Sequence, residues 1–310
     1  MEYEFETVNC NLCNADNYQK ISNKGKFGLP TNVVICKVCG LSYLNPRWDK
    51  NSYLQFYQNE YDKYYRPKIQ LDSSLNKEAV NPIEVRLKRL DLFPKNVERI
   101  LDIGSGEGNN LIHFKSIFQE SKLYAIEPSL ASQIILKNND VTILGSDVDA
   151  EWNDNINYKF DLIIMRHVLE HFTDPIKIMK KVRSVLKPNG IVYIAVPNNL
   201  KPTQNLNKSW FRNVHTYYFN KYTLDNLNKL VGLEILKMQE GDEFNMGEVY
   251  LIARKNDSQL SPVFSEKHYQ EQLTILNQKL KLENSIPYKL TYLSKRVIRK
   301  VLSLTKNKSH

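Results

Sequence analysis

The chain has 310 residues, 42% of them hydrophobic, and a formal net charge of +9. That length suits one large core with a small appendage, and the longest apolar runs, FDLIIM and IVYIAV, fall far short of the roughly 18 residues a membrane span needs. The charge is concentrated at the end: Lys289, Lys295, Arg296, Arg299, Lys300, Lys306 and Lys308 lie after Ser285 with no acid among them, leaving +2 for the rest, so a basic groove for nucleic acid is not expected.

The start, MEYEFETVNCNLC, is acidic and polar without an apolar signal core, and the chain reads as cytoplasmic. Cys10, Cys13, Cys36 and Cys39 form two Cys-x-x-Cys knuckles 22 residues apart. Each knuckle offers two thiolates from one turn, so residues 1–45 read as a zinc ribbon with one structural zinc. A disulfide pair or a redox dithiol would call for a secretory or strand–helix context that is missing.

Residues 46–84 form an aromatic-rich linker or lid, in which Trp48, Tyr53, Phe56 and Tyr57 fall near helical spacing and predict a helix with an aromatic face. Over 85–257, short apolar runs (RILDIG, KLYAIEP, VTILG, FDLIIM, IVYIAVPN) alternate with helix-period segments. This pattern predicts an α/β fold: a doubly wound, mostly parallel, seven-stranded Rossmann-like sheet. LEILKMQEG and VYLIARK follow without a helix between them, which predicts an antiparallel hairpin at one edge. Residues 258–310 read as a helical basic tail: one amphipathic helix through Tyr269, Leu273, Leu276 and Leu280, and another through Leu290, Leu293, Val297, Val301 and Leu304. The second suits either peripheral contact with an anionic membrane face, which would place the chain at the inner face, or packing on its own domain or a second subunit in a homodimer.

The first strand runs into DIGSGEGNN, a glycine turn opening a helix. Glycines serve where the backbone must turn sharply and approach a ligand closely. Glu127 ends the second strand, 19 residues after Gly108, where a carboxylate can accept both hydroxyls of a ribose. The loop lacks the third small residue of a dinucleotide site and a Walker lysine, and it carries Glu107 where a pyrophosphate would sit. An adenosine derivative without phosphates and with a cationic centre fits better.

These residues resemble the class I S-adenosylmethionine-dependent methyltransferases. LDIGSGEGN resembles the glycine-rich first motif, AIEPS the acidic second-strand motif, GSDVDA the adenine-side turn, and FDLIIMRHVLEHFTDP and VLKPNGIVYIAVPNN the fourth and fifth strands. The ribbon followed by CGLSYLNP is similar to a bacterial subgroup with N-terminal zinc-binding modules that includes sugar C-methyltransferases. The resemblance implies that Asp102, Gly104, Ser105, Gly106 and Gly108 cradle the methionine and ribose part of S-adenosyl-L-methionine. It also implies that Glu127 and Pro128 meet the ribose, that Asp147 reaches the adenine amine with Asp149 as competitor, and that Arg166 contributes through its backbone. The implied reaction is methyl transfer to a small-molecule acceptor, a nucleotide-linked sugar or surface-polysaccharide precursor. An RNA (ribose or tRNA) methyltransferase and a non-catalytic binding module stay open.

HVLEH, residues 167–171, spells an inverted zinc-peptidase signature. It follows directly on a buried strand, however, so His167 is expected at the sheet's C-terminal edge rather than on a metal-binding helix. The reaction needs a proton acceptor, and His167, His171 and His215 are candidates. His171 is expected to face the helix behind the loop. His215 has no pattern that would bury it and is favoured as the base, with His167 second and Tyr217, Tyr218 and Trp210 shaping the pocket.

Overall fold

A computed structural model describes residues 3–285 except 66–79, 148, 155 and 259. The second tail helix, its basic cluster and part of the linker lie outside the described residues.

At the N-terminus, β1 (Phe5–Glu6), β2 (Tyr18–Ser22), β3 (Val33–Cys36), β4 (Ser42–Leu44) and β5 (Arg47–Trp48) are short strands around the cysteine knuckles. β2, β3 and β4 form an antiparallel meander, and β1 pairs with β5. Asp49 caps α1 (Lys50–Asn59) by accepting from the Ser52 N–H, and α2 (Tyr61–Tyr65) follows. The expected aromatic face is present: Trp48, Tyr53, Tyr57, Tyr61, Tyr64 and Tyr65 gather around Phe56.

After α3 (Pro82–Arg89) come β6 (Arg99–Ile103), α4 (Asn109–Ile117), β7 (Lys122–Ile126), α5 (Leu130–Asn138), β8 (Thr142–Gly145), β9 (Phe160–Arg166), α6 (Pro175–Val185) and β10 (Leu186–Pro197). β11 (Tyr217–Tyr218), α7 (Lys221–Leu230), β12 (Leu233–Glu240), β13 (Glu248–Lys255) and α8 (Glu266–Asn284) complete the described chain. The large sheet has seven strands in the order β12-β13-β10-β9-β6-β7-β8. β8, β7, β6, β9 and β10 run parallel, while β12 and β13 form the antiparallel edge hairpin. The central strands are apolar on both faces, with Leu101, Ile163 and Ile194 in one core cluster and Ile100, Leu162 and Ile164 in the other. Strand order reverses at β6, whose neighbours are β7 and β9. In open α/β sheets the crevice beyond such a reversal is where ligands bind.

The ribbon joins this core. Cys10, Cys36, Cys39 and Tyr43 lie in the same apolar cluster as Leu101, Met165 and Val196, and β11, from the loop between β10 and α7, pairs with β4 as the edge of the ribbon sheet. Chain order alone gives no sign of that pairing.

Candidate active site

The turn after β6 needs its glycines. Gly104 has a φ of +71°, and a Cβ there would meet Val168 Cγ2 at 2.6 Å; Gly108, the N-cap of α4, has a φ of +83° and a similar conflict with Leu136. Beneath the turn, the Glu127 carboxylate accepts the Gly106 N–H at 2.7 Å and the Ser129 N–H at 2.9 Å. Asp102 is buried and accepts from the Asn110 amide at 3.2 Å. Burial, with Glu127 nearby, pushes its carboxyl up to about 7, although Asn110 works against the shift.

A cavity of about 450 Å³ opens beyond these strand ends, with Gly104, Ser105, Gly106, Glu127, Pro128 and Asp147 on its wall. Arg166, His167 and His171 close the β9 side, and Tyr57 and Tyr61 cover it from the helical linker. Ser105 Oγ and Arg166 Nε are buried without a hydrogen-bond partner, which suits a polar ligand. The two turn acids differ. Asp149 accepts from the Thr173 hydroxyl at 2.8 Å, whereas Asp147 is 26% exposed with Lys50 at 3.7 Å.

HVLEH is not a helix from its first residue. His167 has a φ of +54°, and only Leu169–His171 form a single 3-10 turn. The two imidazoles therefore point to different partners. His167 Nε2 lies 2.7 Å from Glu248 Oε2; the Tyr57 hydroxyl lies 2.8 Å from His171 Nδ1. Glu248 belongs to a buried network in which Arg86 donates to it, to Tyr193 and, through Nε and Nη2, to Asp242 at 2.6 and 2.7 Å. Burial alone would raise the Glu248 carboxyl, but His167 and Arg86 outweigh it and hold it below the usual carboxylate range.

A second cavity, of about 290 Å³, shares Tyr61, His167 and His171 with the first. Its other walls include Gln204, Trp210, Arg212, His215 and Asn245. His215 departs from expectation: it is 5% exposed. Its loop is drawn down by bonds from the aromatic linker, with the Tyr53 and Tyr65 hydroxyls donating to Asn213. Burial first, then His171 and Arg212, push the His215 imidazole well below its ordinary value. Burial, then Arg212 and His167, bring the His171 imidazole down to about 3, and His171 faces both cavities rather than the helix behind the loop. Tyr217 turns to the ribbon, accepting from Arg47 at 3.0 Å and donating to the Thr173 carbonyl. Tyr218 does not line the second cavity; its hydroxyl accepts the Arg212 N–H and donates to the Arg212 carbonyl.

Glu170, His171 and His215 bring one ligand atom each within 4.8 Å of one another. Arg212 stands close enough to depress both imidazoles, a poor setting for a further cation. The cysteines are placed differently. All four Sγ atoms lie within 4.8 Å of one another, with 3.5 Å between Cys10 and Cys39 and between Cys13 and Cys36. A tetrahedron of metal–sulfur bonds of about 2.3 Å has edges of roughly 3.8 Å, so the four thiols fit a tetrathiolate centre.

Glu248, Arg86, Tyr61 and Arg212 carried no motif in the sequence. The one available signal was the charged DEFNMGE turn of the edge hairpin, which places Asp242 and Glu248 at the same sheet edge as His167.

A methyltransferase-domain family model matches residues 78–238. An uncharacterized methyltransferase of Schizosaccharomyces pombe is 31% identical over 114 residues, which are 32% of this chain and 40% of that protein. The chain thus matches less than half the length of that curated relative. Among solved structures, an S-adenosylmethionine-dependent methyltransferase from Clostridium acetobutylicum is 16% identical with a TM-score of 0.45, covering 63% of this chain and 96% of that one. The plantazolicin methyltransferase BpumL, in complex with SAH, is 15% identical with a TM-score of 0.48, covering 66% of this chain and 94% of that one. The family model spans more than half of the 310 residues and covers the glycine turn, Glu127 and the HVLEH loop, and the chain belongs to this methyltransferase-domain family.

Proposed function

We propose that the protein transfers a methyl group from S-adenosyl-L-methionine, held in the larger cavity, to a small molecule held in the second. The observation that carries this reading is the shared wall: Tyr61, His167 and His171 face both spaces, so a group passed between them crosses at the histidines. Bound in the larger cavity, the cofactor supplies a methyl already activated by a positive sulfonium. The turn from Gly104 to Gly108 admits it closely, Glu127 takes the ribose hydroxyls, Asp147 takes the adenine amine, and Ser105 and Pro128 complete the wall. The second cavity, of about 290 Å³, is of small-molecule size, which supports a nucleotide-linked sugar or polysaccharide precursor as acceptor rather than RNA.

Holding the acceptor aligned supplies much of the acceleration; the chain's own chemistry is to remove a proton. His167 is the better placed base. It is 34% exposed at the shared wall, and its Nε2 donates to Glu248, leaving Nδ1 to accept. The buried network of Arg86, Asp242 and Glu248 holds two carboxylates for one guanidinium, so a proton on His167 brings it to neutrality. His215 is the second reading, supported by an imidazole that burial keeps neutral, with one ring nitrogen free to accept a proton.

The cysteine cluster is proposed to bind one structural zinc, supported by its tetrahedral spacing and all-thiol donor set. Titration calorimetry with S-adenosylmethionine tests the cofactor role: Glu127→Ala should weaken binding by about 10- to 100-fold, the loss expected for hydrogen bonds to a charged acceptor. Equal affinity in both proteins would remove the ribose role.

A further inference from the structure

Arg212 stands out in the second cavity because its charge has no counter-ion. Its Nε donates to the Ser209 carbonyl at 3.1 Å, and its guanidinium carbon lies 5.9 Å from the Tyr65 ring centre. Among the described residues it forms no ion pair, although it is only partly exposed. Its backbone is fixed from both sides by the Tyr218 hydroxyl, at 2.9 and 3.1 Å. Lys26 lies 5.1 Å from the centre of the same Tyr65 ring and also makes no ion pair among the described residues; burial, then Arg212, lowers its pKa.

The acids nearby do not balance these cations. Glu248 is engaged by Arg86 and His167. Glu170 is 2% exposed, and burial raises its carboxyl to about 7, which leaves it part-neutral at neutral pH. A half-buried guanidinium without a counter-ion loses hydration that one carbonyl and one ring face do not fully replace, unless a ligand brings the missing charge. Guanidinium is the side chain best shaped to take a carboxylate or phosphate through two parallel hydrogen bonds. The remaining walls are amides, from Gln204 and Asn245, and the flat face of Trp210. Such walls suit hydroxyl groups and the apolar face of a ring.

We propose that the second cavity selects a polyhydroxylated acceptor bearing an oxyanion, a carboxylate or a phosphate, which Arg212 holds. This inference rests on the reading of that cavity as the acceptor site.

The test uses the full chain loaded with S-adenosylhomocysteine and titrated with glucuronate, glucose 1-phosphate and glucose. At least one anion should bind, with glucose about tenfold weaker or more, and the tighter anion tells carboxylate from phosphate. Arg212→Gln should weaken the anion by about 10- to 100-fold without changing S-adenosylhomocysteine affinity. Arg212→Lys, which keeps the charge but not the fork, should fall between. Glucose binding as tightly as the anions, an unchanged anion affinity in Arg212→Gln, or no anion bound by a protein that binds S-adenosylhomocysteine would each overturn the inference. Failure of the native chain to bind S-adenosylhomocysteine would instead remove the reading beneath it, and this inference with it.

Discussion

The two cavities that meet at Tyr61, His167 and His171 are opposite in chemistry. The larger is ringed by acids, Glu127, Asp147 and Asp149 on its wall with Asp102 behind. The smaller holds Arg212 and three imidazoles, and the one carboxyl among its described walls, Glu170, lies 3.9 Å from His167 and His171 and is pushed up by burial. A cationic methyl donor suits the first, and an acceptor that must lose a proton suits the second. The difference also runs through their construction. The acidic cavity comes from strand ends, where one or two residues past each apolar run fix the geometry. The basic cavity comes from loops tied together by the ribbon, the aromatic linker and the edge hairpin.

Of the changes that would break this division, the largest effect comes from the ribbon. β11 pairs with β4 and lies just after Arg212 and His215, and the cysteines share the main core cluster. A structural zinc site contributes on the order of 10 kcal/mol, comparable to the net stability of a whole domain. Cys36→Ser with Cys39→Ser should therefore lose the proposed zinc and lower the unfolding temperature by well over about 10 °C, read by metal analysis and calorimetry. An unchanged unfolding temperature in a metal-free variant would detach the ribbon from the basic cavity.

Next comes the shared wall. His167→Ala should lower single-turnover rates by about 100- to 10,000-fold and leave S-adenosylhomocysteine affinity unchanged, with a smaller loss for His215→Ala. The reverse order would move the base to His215. No loss in either would leave positioning alone, or a tyrosine, to carry the step.

Smaller still is the pH dependence of stability, which should differ in sign between Asp102 and His171. The Asp102 carboxyl is raised from 3.8 to about 7. The native fold thus favours its protonated form, and that stabilisation is complete below about pH 4 and lost as pH rises towards 7. The His171 imidazole is lowered from 6.5 to about 3, so its contribution is present above pH 6.5 and lost as pH falls towards 3. By pH 4.5 the His171 loss is on the order of 3 kcal/mol. Between about pH 4 and 6.5 the two contributions oppose each other in the native chain, so denaturant unfolding of the ligand-free chain should show stability falling with rising pH there in His171→Gln, relative to the native profile, and rising with pH in Asp102→Asn. Identical profiles in all three proteins would contradict the burial of both groups.

The same contrast explains what could be read in advance. The parallel strands and the antiparallel hairpin were legible because each strand is a short apolar run bounded by turns, as in RILDIG and FDLIIM. The glycine turn, Glu127 and Asp147 are local signals, and they lie on one cavity wall. His215 was misread as unburied because the contacts that hold its loop down come from far away in sequence: the tyrosines of α1 and α2 bond Asn213, and the His171 ring packs on His215. The Arg86–Glu248–His167 network joins residues up to 162 positions apart, and no periodicity announces such a contact. Tyr217 was expected at the pocket, but it belongs to a strand that only the ribbon's open edge could have suggested.

The most direct test is a crystal structure of the chain with S-adenosylhomocysteine. Its ribose should lie on Glu127, its adenine beside Asp147, and its sulfur should face the wall of Tyr61, His167 and His171. A ligand bound in that cavity with its sulfur directed away from the histidines, or an adenosine seated in the Arg212 cavity, would contradict the two-cavity arrangement.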